Sequence, residues 1–524
     1  MINRFRLIHW TLALSLGLLF SSCTVYSQKK NADKTVENLD KIFQQSLTDF
    51  NVPGMAIAIV KDNKVVLSKG YGVKNSETGE KVDENSLFAI ASNSKAFTAA
   101  CLAILVDEGK IKWNDKVRTY LPYFQLYDPY VTEEMTIRDL LCHRSGLATF
   151  SGDLIWYGTT YSREEVIRRA VGLEPKHGFR ETFGYQNIMF IAAGEIVEVV
   201  SGLSWDDFVQ QRILNPLGMS STVTSITKFK PGGNIAMPHN EKDGKNILID
   251  YVNWDNIGGA GAINSNVSDV SKWLMLQLNK GKWNDQTIFS EARAFEMWEN
   301  QTPLPIRPWQ RQNMPSRHFS GYGLGWELME YQGYKVISHG GGYDGMISKT
   351  VLVPELNLGF VILTNNINSL PTILNFEILD EYLGVKKEDQ TDWITMFKVF
   401  KTEDDAMAAG AAQAREDART KNTQPSKANI DYCGTYRSEI YGDVLITLDE
   451  KGNPLIDFTP TALFKGRLEH YHYDTFILNW STKMMLPPGT VTFVLDAAGE
   501  IEEMKVFVDN PDFDFTELKL MKVK

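Results

Sequence analysis

The sequence predicts an α+β protein: an antiparallel sheet flanked by helices, followed by a small C-terminal antiparallel β-barrel. Three observations carry this. Near the N-terminus the β-type runs MAIAIV and VVLSKGYG are joined by Asp62-Asn63, a hairpin signal. Between Tyr322 and Asn365, the runs YGLGWEL, YKVISHGGG, SKTVLVP and GFVILTN are separated by Gly, Asn and Pro and can complete one sheet with that distant hairpin. From Ile430 onward the short runs VLITLDE, NPLIDFTP, FKGRLEHYHYDTFILNW, TVTFVLDA and EEMKVFV recur with the rhythm of a small barrel or sandwich.

At 524 residues the chain is long for one domain. Its 43% hydrophobic and 23% charged residues are those of a globular protein with a sizeable core. A formal charge of -11 and the lack of a basic stripe argue against nucleic acid and anionic membrane surfaces as partners. Arg4 and Arg6 followed by apolar Leu12 to Phe20 form a signal segment over residues 1–27, so the chain is expected to be exported. Two processing sites compete. Leu19-Phe20-Ser21-Ser22-Cys23 is similar to a lipoprotein box, which would end the signal at 22 and acylate Cys23, tethering the protein to a membrane. Val25-Tyr26-Ser27 satisfies the small-residue rule for ordinary cleavage. The expected location is therefore periplasmic or membrane-anchored.

Taken in order, a helix is expected from Thr35 to Phe50, then the hairpin introduced by Pro53-Gly54. Next comes the stretch FAIASNSKAFTAACLAILV, Phe88 to Val106, whose run from Ala96 to Val106 predicts a helix apolar all round and so buried. Ser92 and Lys95 stand at i and i+3 at its mouth, one turn apart. An ammonium held against apolar walls loses solvation, which favours its neutral form and makes Lys95 a base for the Ser92 hydroxyl. The plain alternative is an N-cap serine beside a solvated lysine. Two other S-x-x-K matches, Ser27/Lys30 and Ser225/Lys228, lack a buried helix and are read as chance.

Met135 to Leu141 predicts a further helix ending at His143-Arg144-Ser145-Gly146, where His143 is read as tying down a turn rather than as a base. Tyr185 and Asn187 directly precede the apolar segment IMFIAAGEIVEVV. Tyr185 either packs or shuttles a proton, and Asn187 either caps the helix or hydrogen-bonds a substrate carbonyl. A rival pair, Tyr251/Asn253, is followed by a glycine cluster and lacks that support. His339-Gly340-Gly341-Gly342 closes a strand: either a glycine-rich turn, or a place where substrate approaches the backbone and free amide N–H groups meet an oxyanion.

Of the cysteines, Cys101 lies in the buried helix, and Cys142 and Cys433 are isolated. A Cys101–Cys142 bridge is open to an exported protein, but buried free thiols are the expectation. No Cys/His cluster has metal-ligand spacing, and no cofactor is expected. Glu469 to Asp474 (EHYHYD) would be split between two faces of a strand. Asp389 to Ala418 reads as a linking helix and Lys421 to Ser426 as a joint, which gives a first globular domain over 31–385, a helical linker over 386–427 and the barrel over 428–524.

In this order, Ser92-x-x-Lys95, Tyr185-x-Asn187 and His339-x-Gly341 together resemble the active-site motifs of the serine β-lactamase and penicillin-binding-protein superfamily. The branch it looks most like is that of class C β-lactamases, D-Ala-D-Ala carboxypeptidases, D-aminopeptidases and esterases. Pro53-Gly54, Thr136 to Leu141 with Ser145-Gly146, Pro216 to Met219 and Tyr322 to Trp326 match as well, so the resemblance spans about Glu37 to Tyr382. It implies an all-helical subdomain beside the sheet. It also implies that Ser92 is acylated, Lys95 activates it, Tyr185 assists proton transfer, Asn187 binds substrate, and the N–H groups of Ser92 and Gly342 form an oxyanion hole. The segment from Ile430 resembles a lipocalin-like domain, through which self-association is a further expectation. No G-x-S-x-G elbow of an α/β-hydrolase is present.

One departure bears on substrate. Where most of that superfamily begins the third motif with lysine, this chain has His339, which is mostly neutral at pH 7. The expected activity is therefore that of a serine hydrolase forming an acyl-enzyme on Ser92 with a small-molecule or peptide ester or amide, of esterase or D-amino-acid peptidase type. A β-lactamase or a slowly deacylating penicillin-binding sensor is the alternative.

Overall fold

The strand Gly54–Lys61 (β1) is apolar at nearly every position because both faces of its sheet are covered. Met55, Ile57 and Ile59 enter one core while Ala56, Ala58 and Val60 enter the other, the alternation of an extended chain. In the computed structural model, which describes residues 34–482 and 486–524, β1 turns into Lys64–Gly72 (β2) through Asp62 and Asn63. Both turn residues have positive φ, 52° and 59°, as a tight two-residue hairpin demands. The signal segment and Cys23 lie outside the described residues.

The sheet is eight-stranded and antiparallel. Its later strands are Thr302–Pro303 (β3), Ser320–Tyr322 (β4), Glu327–Tyr331 (β5), Tyr334–Tyr343 (β6), Met346–Val353 (β7) and Leu358–Thr364 (β8), in the order β2-β1-β8-β7-β6-β5-β4-β3. The early hairpin is thus closed from far along the chain, with Ile57 opposite Ile362. One face is covered by helix 34–49 (α1) and, beyond β8, by Leu370–Leu383. The other carries Ser94–Asp107 (α2), Asn187–Ser201 (α3) and Val267–Leu278 (α4). Leu370–Leu383 is α5. As its composition requires, α2 is buried on every side from Ser94 to Leu105, with Trp273 of α4 stacked on Phe97 at 3.9 Å.

The helix expected from Met135 to Leu141 is a single turn, Ile137–Leu140. Thr136 and Asp139 form a capping box at its start, and the buried Asp139 carboxylate also binds Arg144 and Arg180 at 2.6 and 2.7 Å. The chain leaves the helical path to bring Arg144 round. Cys101, Cys142 and Cys433 are all free thiols.

Helix Trp393–Asp417 (α6) is anchored at its start, where Trp393 stacks on Phe376 and donates to Asp380 while Ile394, Met396 and Phe397 pack half-buried beside it, and is exposed over most of the rest. It leads to a closed eight-stranded barrel: Gly434–Ser438 (β9), Gly442–Leu448 (β10), Pro454–Phe458 (β11), Lys465–His472 (β12), Thr475–Trp480 (β13), Gly489–Leu495 (β14), Ile501–Phe507 (β15) and Leu520–Lys522 (β16). β16 pairs with β9 and leaves no open edge. The Glu469 to Asp474 stretch does not keep the expected alternation: the register slips between His470 and His472, the strand ends at His472, the Tyr471 hydroxyl donates to the Arg415 carbonyl of α6, and His470 Nε2 is held by the Tyr473 carbonyl. The barrel docks on the helical layer. Tyr157 packs against Phe464 and Phe513, Tyr161 donates to the Tyr441 carbonyl at 2.5 Å, and Glu517 accepts from Ser151 and from the Gly152 amide. Apolar packing is continuous from α2 into the barrel.

Candidate active site

Ser92 sits in the 3-10 turn Ala91–Asn93 just ahead of α2, not on it. Ala91, fully buried, takes a left-handed φ of 46°, a strained backbone for a residue with a Cβ. Neighbours hold the turn in place. Ile90 N–H donates to the Ile263 carbonyl at 3.0 Å. The Asn93 amide donates to Ser348 Oγ at 2.7 Å and accepts from Thr350 Oγ1 at 2.5 Å, and Ser348 donates to the Ile90 carbonyl at 2.8 Å. The turn is thereby fastened to β7, and Ser92 alone among its three residues is partly exposed.

Lys95 is fully buried, and its Nζ has three oxygen neighbours: Ser92 Oγ at 3.0 Å, Asn187 Oδ1 at 2.7 Å and the Ala260 carbonyl at 3.0 Å. Burial lowers its pKa to about 7, opposed by the Asp153 carboxylate. Asn187, the first residue of α3, is a relay. Its carbonyl oxygen takes a Lys95 proton and its amide donates to Asp153 Oδ2 at 2.7 Å. Trp156 Nε1 donates to the other Asp153 oxygen at 2.8 Å. Burial pushes the Asp153 carboxyl up, to about 7, against the pull of these donors and Lys95. Gln186, not Asn187, holds the N-cap position.

The Tyr185 ring lies 4.7 Å from Lys95 Nζ. Burial raises the pKa of its phenol, Ser92 being the neighbour that eases it down, so it stays protonated where Lys95 titrates. His143 forms the wall behind it. The His143 ring, fully buried and neutral, lies 4.2 Å from the Tyr185 ring; Nδ1 accepts from the Gln186 amide at 2.9 Å, and the His143 carbonyl takes the Gly184 N–H. It therefore ties down a turn, the one that carries Tyr185.

β6 brings the third motif alongside. His339 is buried; Nδ1–H donates to the Gly340 carbonyl at 2.6 Å, which leaves Nε2 to accept from the Tyr322 hydroxyl at 2.8 Å. Burial lowers its pKa to about 4, so the ring is neutral and both nitrogens are occupied. A Cβ on Gly341 would lie 2.2 Å from the Ile90 carbonyl: the close approach that glycine permits there is to the Ser92 turn itself. Gly342 is exposed and has room. The nearby cation is Lys349, paired at 2.9 Å with Glu327. Burial works against the Glu327 charge, but Lys349 holds its carboxyl down to about 2.

Ser92, Lys95, Tyr185 and Asn187 thus meet in one place, with β6 beside them. The rivals do not: Ser225 accepts from the Thr227 amide, Lys228 donates to Thr224, and Tyr251 donates to the Ala236 carbonyl. Asp153, the Ala260 carbonyl, Glu327 and Lys349 were not anticipated. A lone acid in an apolar run, as in YGLGWEL or GDLIWYG, is the signal that marks two of them. Among the described residues no group of three or more His, Cys, Asp or Glu could hold a metal ion.

Comparison with known proteins agrees with this geometry: the Beta-lactamase family model matches residues 39–372, nearly two thirds of the chain. The chain belongs to the Beta-lactamase family. It is a serine hydrolase of the β-lactamase and penicillin-binding-protein type. A second model, a domain of unknown function (DUF3471), matches 418–522, the barrel. Among curated relatives of this Beta-lactamase family member, "Unguisins hydrolase ungD'" of Aspergillus campestris is 28% identical over 447 residues, 81% of this chain and 80% of its own. The octameric penicillin-binding protein homologue from Pyrococcus abyssi superposes with a TM-score of 0.61 at 21% identity, covering 93% of this chain and all of its own. The D-amino acid amidase from Ochrobactrum anthropi SV3 does so with 0.55 at 22%, covering 67% and 98%. These two structures share the fold.

Proposed function

We propose that the chain cleaves an ester or amide through an acyl-enzyme on Ser92, with Lys95 as general base and Tyr185 as proton shuttle. The observation that carries this is the shell around Lys95 Nζ. Two of its three neighbours are carbonyl oxygens, which only accept, so a neutral amine spends both hydrogens on Asn187 and Ala260. Its lone pair then faces Ser92 Oγ.

Lys95 takes the Ser92 proton as Oγ attacks the substrate carbonyl carbon. In a two-residue hairpin the closing pair Tyr343/Met346 exchanges its hydrogen bonds, so the N–H of the next residue, Gly342, points away from β7. With the Ser92 amide it would receive the oxyanion. The Tyr185 phenol gives its proton to the departing nitrogen or oxygen and is reprotonated from Lys95, whose Nζ lies 4.7 Å from its ring. A water activated by the same groups then releases the acyl product.

Substrate choice follows from charge. His339 is neutral and Lys349 is already paired, so no free cation greets a substrate carboxylate at the third motif. This favours esters and D-amino-acid amides over β-lactams and free carboxyl-terminal peptides. The names of an unguisins hydrolase and a D-amino acid amidase among similar proteins support amide cleavage. The test is intact-mass detection of a fluorophosphonate adduct mapped to Ser92, then turnover of D-alanyl 4-nitroanilide, 4-nitrophenyl esters and nitrocefin. An adduct with ester or amide turnover well above nitrocefin turnover is expected; no adduct, or full activity in Ser92→Ala, would refute the assignment.

The reading extends to location and assembly. Export with a lipid on Cys23 predicts that the protein sediments with membranes and that Cys23→Ala releases it. Phe507, Met521 and Val523, exposed apolar residues on the barrel, with the octameric state of the P. abyssi homologue, support self-association, which light scattering would read.

A further inference from the structure

A cavity of about 1160 Å³ lies between the helical layer and the barrel, walled on one side by Tyr157, Tyr251 and Val252 and on the other by Ala462 and Leu463. It is next to the catalytic constellation without including it. Asp344, at its edge, follows Gly342 by two residues, and Asn256 donates to the carbonyl of Trp156, whose indole holds Asp153. Its charge is one-sided. Arg163 in its wall is taken by Asp206 at 2.7 Å, and Glu164 by Arg168. Among the described residues no lysine or arginine pairs with Glu195, Asp250, Asp255 or Asp344, all of which line it.

A second observation is independent of that charge. Asn240 lines the cavity at 5% exposure, and neither atom of its amide has a hydrogen-bond partner. Asp344 Oδ2, Asp255 Oδ1 and Asn256 Oδ1, also in the wall, are buried without partners. Buried polar atoms are normally satisfied, so orphans on residues that line one cavity, nearly all of them acceptors, call for a donor-rich occupant toward which these side chains turn. Burial also pushes the Glu195 and Asp344 carboxyls up, to about 7 and about 6, against the pull of Arg163 on Glu195 and of the Tyr157 hydroxyl on Asp344.

We propose that this cavity receives a substrate arm that ends in a guanidinium or primary ammonium on an apolar stem, the cation meeting Asp344, Asp255, Glu195 and Asn240 while the stem lies against the aromatic and barrel walls. As a statement about substrate it rests on the serine-hydrolase reading above. The barrel is then part of the specificity apparatus, since it supplies the second wall of the cavity through Ala462, Leu463, Ser481 and Thr482.

Two measurements on the whole chain separate this inference from that reading. Calorimetry with hexylguanidinium, which has nothing to hydrolyse, reads the cavity alone. We expect binding to the wild type and to Ser92→Ala alike, at least about tenfold tighter than hexanoate, with the advantage lost in Glu195→Gln/Asp344→Asn. Kinetics with 4-nitrophenyl 6-guanidinohexanoate and 4-nitrophenyl hydrogen adipate should give a kcat/KM ratio of about ten or more, falling toward one in the same double variant. Because the ratio is taken within one protein, partial misfolding of a variant does not change it. Hexylguanidinium binding no better than hexanoate, or Ser92-dependent turnover with no preference for the cation, overturns the cation site. Binding as expected with no ester turnover overturns the hydrolase reading and leaves the cation site standing.

Discussion

At Lys95 Nζ the number of hydrogens decides the chemistry. A protonated amine donates to all three of its neighbours and leaves Ser92 without a base; a neutral one donates to Asn187 and Ala260 and offers its lone pair. Because burial lowers its pKa to about 7, kcat/KM is expected to rise with pH through about 7 and to fall about tenfold per unit below it. The Asp153 charge raises that pKa, so Asp153→Asn should move the acid limb to lower pH. Kinetics from about pH 5 to about pH 9 on a 4-nitrophenyl ester check both, and an unmoved limb in Asp153→Asn would show that Asp153 does not couple to Lys95. The meeting of Ser92 with Lys95 was legible in the sequence because the two sit at a fixed local spacing beside an apolar helix. The carbonyl of Ala260 was not: a backbone oxygen has no signature, and only the fold says where it points.

At the scale of elements, the two hydroxyl groups of the site, Ser92 and Tyr185, stand on turns, while Lys95, Asn187 and His339 are held by helices and a strand. The Ser92 turn is fastened by Asn93, Ser348 and Thr350, and the Tyr185 turn by His143. The segment leading to His143 is anchored in turn by Asp139, whose buried carboxylate serves a helix cap and two guanidinium groups. Composition made α2 legible, since a helix without a polar face has only one place to go. It overextended Ile137–Leu140 because the pull of Arg144 and Arg180 on one buried acid is a tertiary fact. Asp139→Ala is expected to cost about 3 kcal/mol by leaving Arg144 unpaired and the helix uncapped. Arg180, Thr136 and Arg144 outweigh burial and hold the Asp139 pKa below its ordinary value. A lowered acid contributes stability that is present above the unfolded-state pKa, about 4, and lost as pH falls through the folded one. Urea midpoints at pH 7 and pH 3 should therefore differ less in Asp139→Ala than in the wild type, and an equal difference would exclude the link.

At the scale of the molecule, the strand rhythm after Ile430 announced a barrel, but nothing in the sequence said that it would press its face onto the catalytic layer. That contact is made of single residues from distant segments. Tyr157, buried at 2% exposure, packs its ring on Phe464 and Phe513 and donates its hydroxyl to Asp344 at 2.6 Å, while Glu517 grips Ser151 and Gly152 just ahead of Asp153. Because the apolar core runs through this interface, barrel and catalytic region should unfold together in a single calorimetric transition. Tyr157→Ala removes a buried aromatic from the joint, at a cost of roughly 3 kcal/mol. The expected result is separation into two transitions, with faster protease cleavage near the joint from Lys421 to Ser426. Two transitions in the wild type, or one undivided transition in Tyr157→Ala, would mean that the barrel is carried by the chain without being coupled to the catalytic layer.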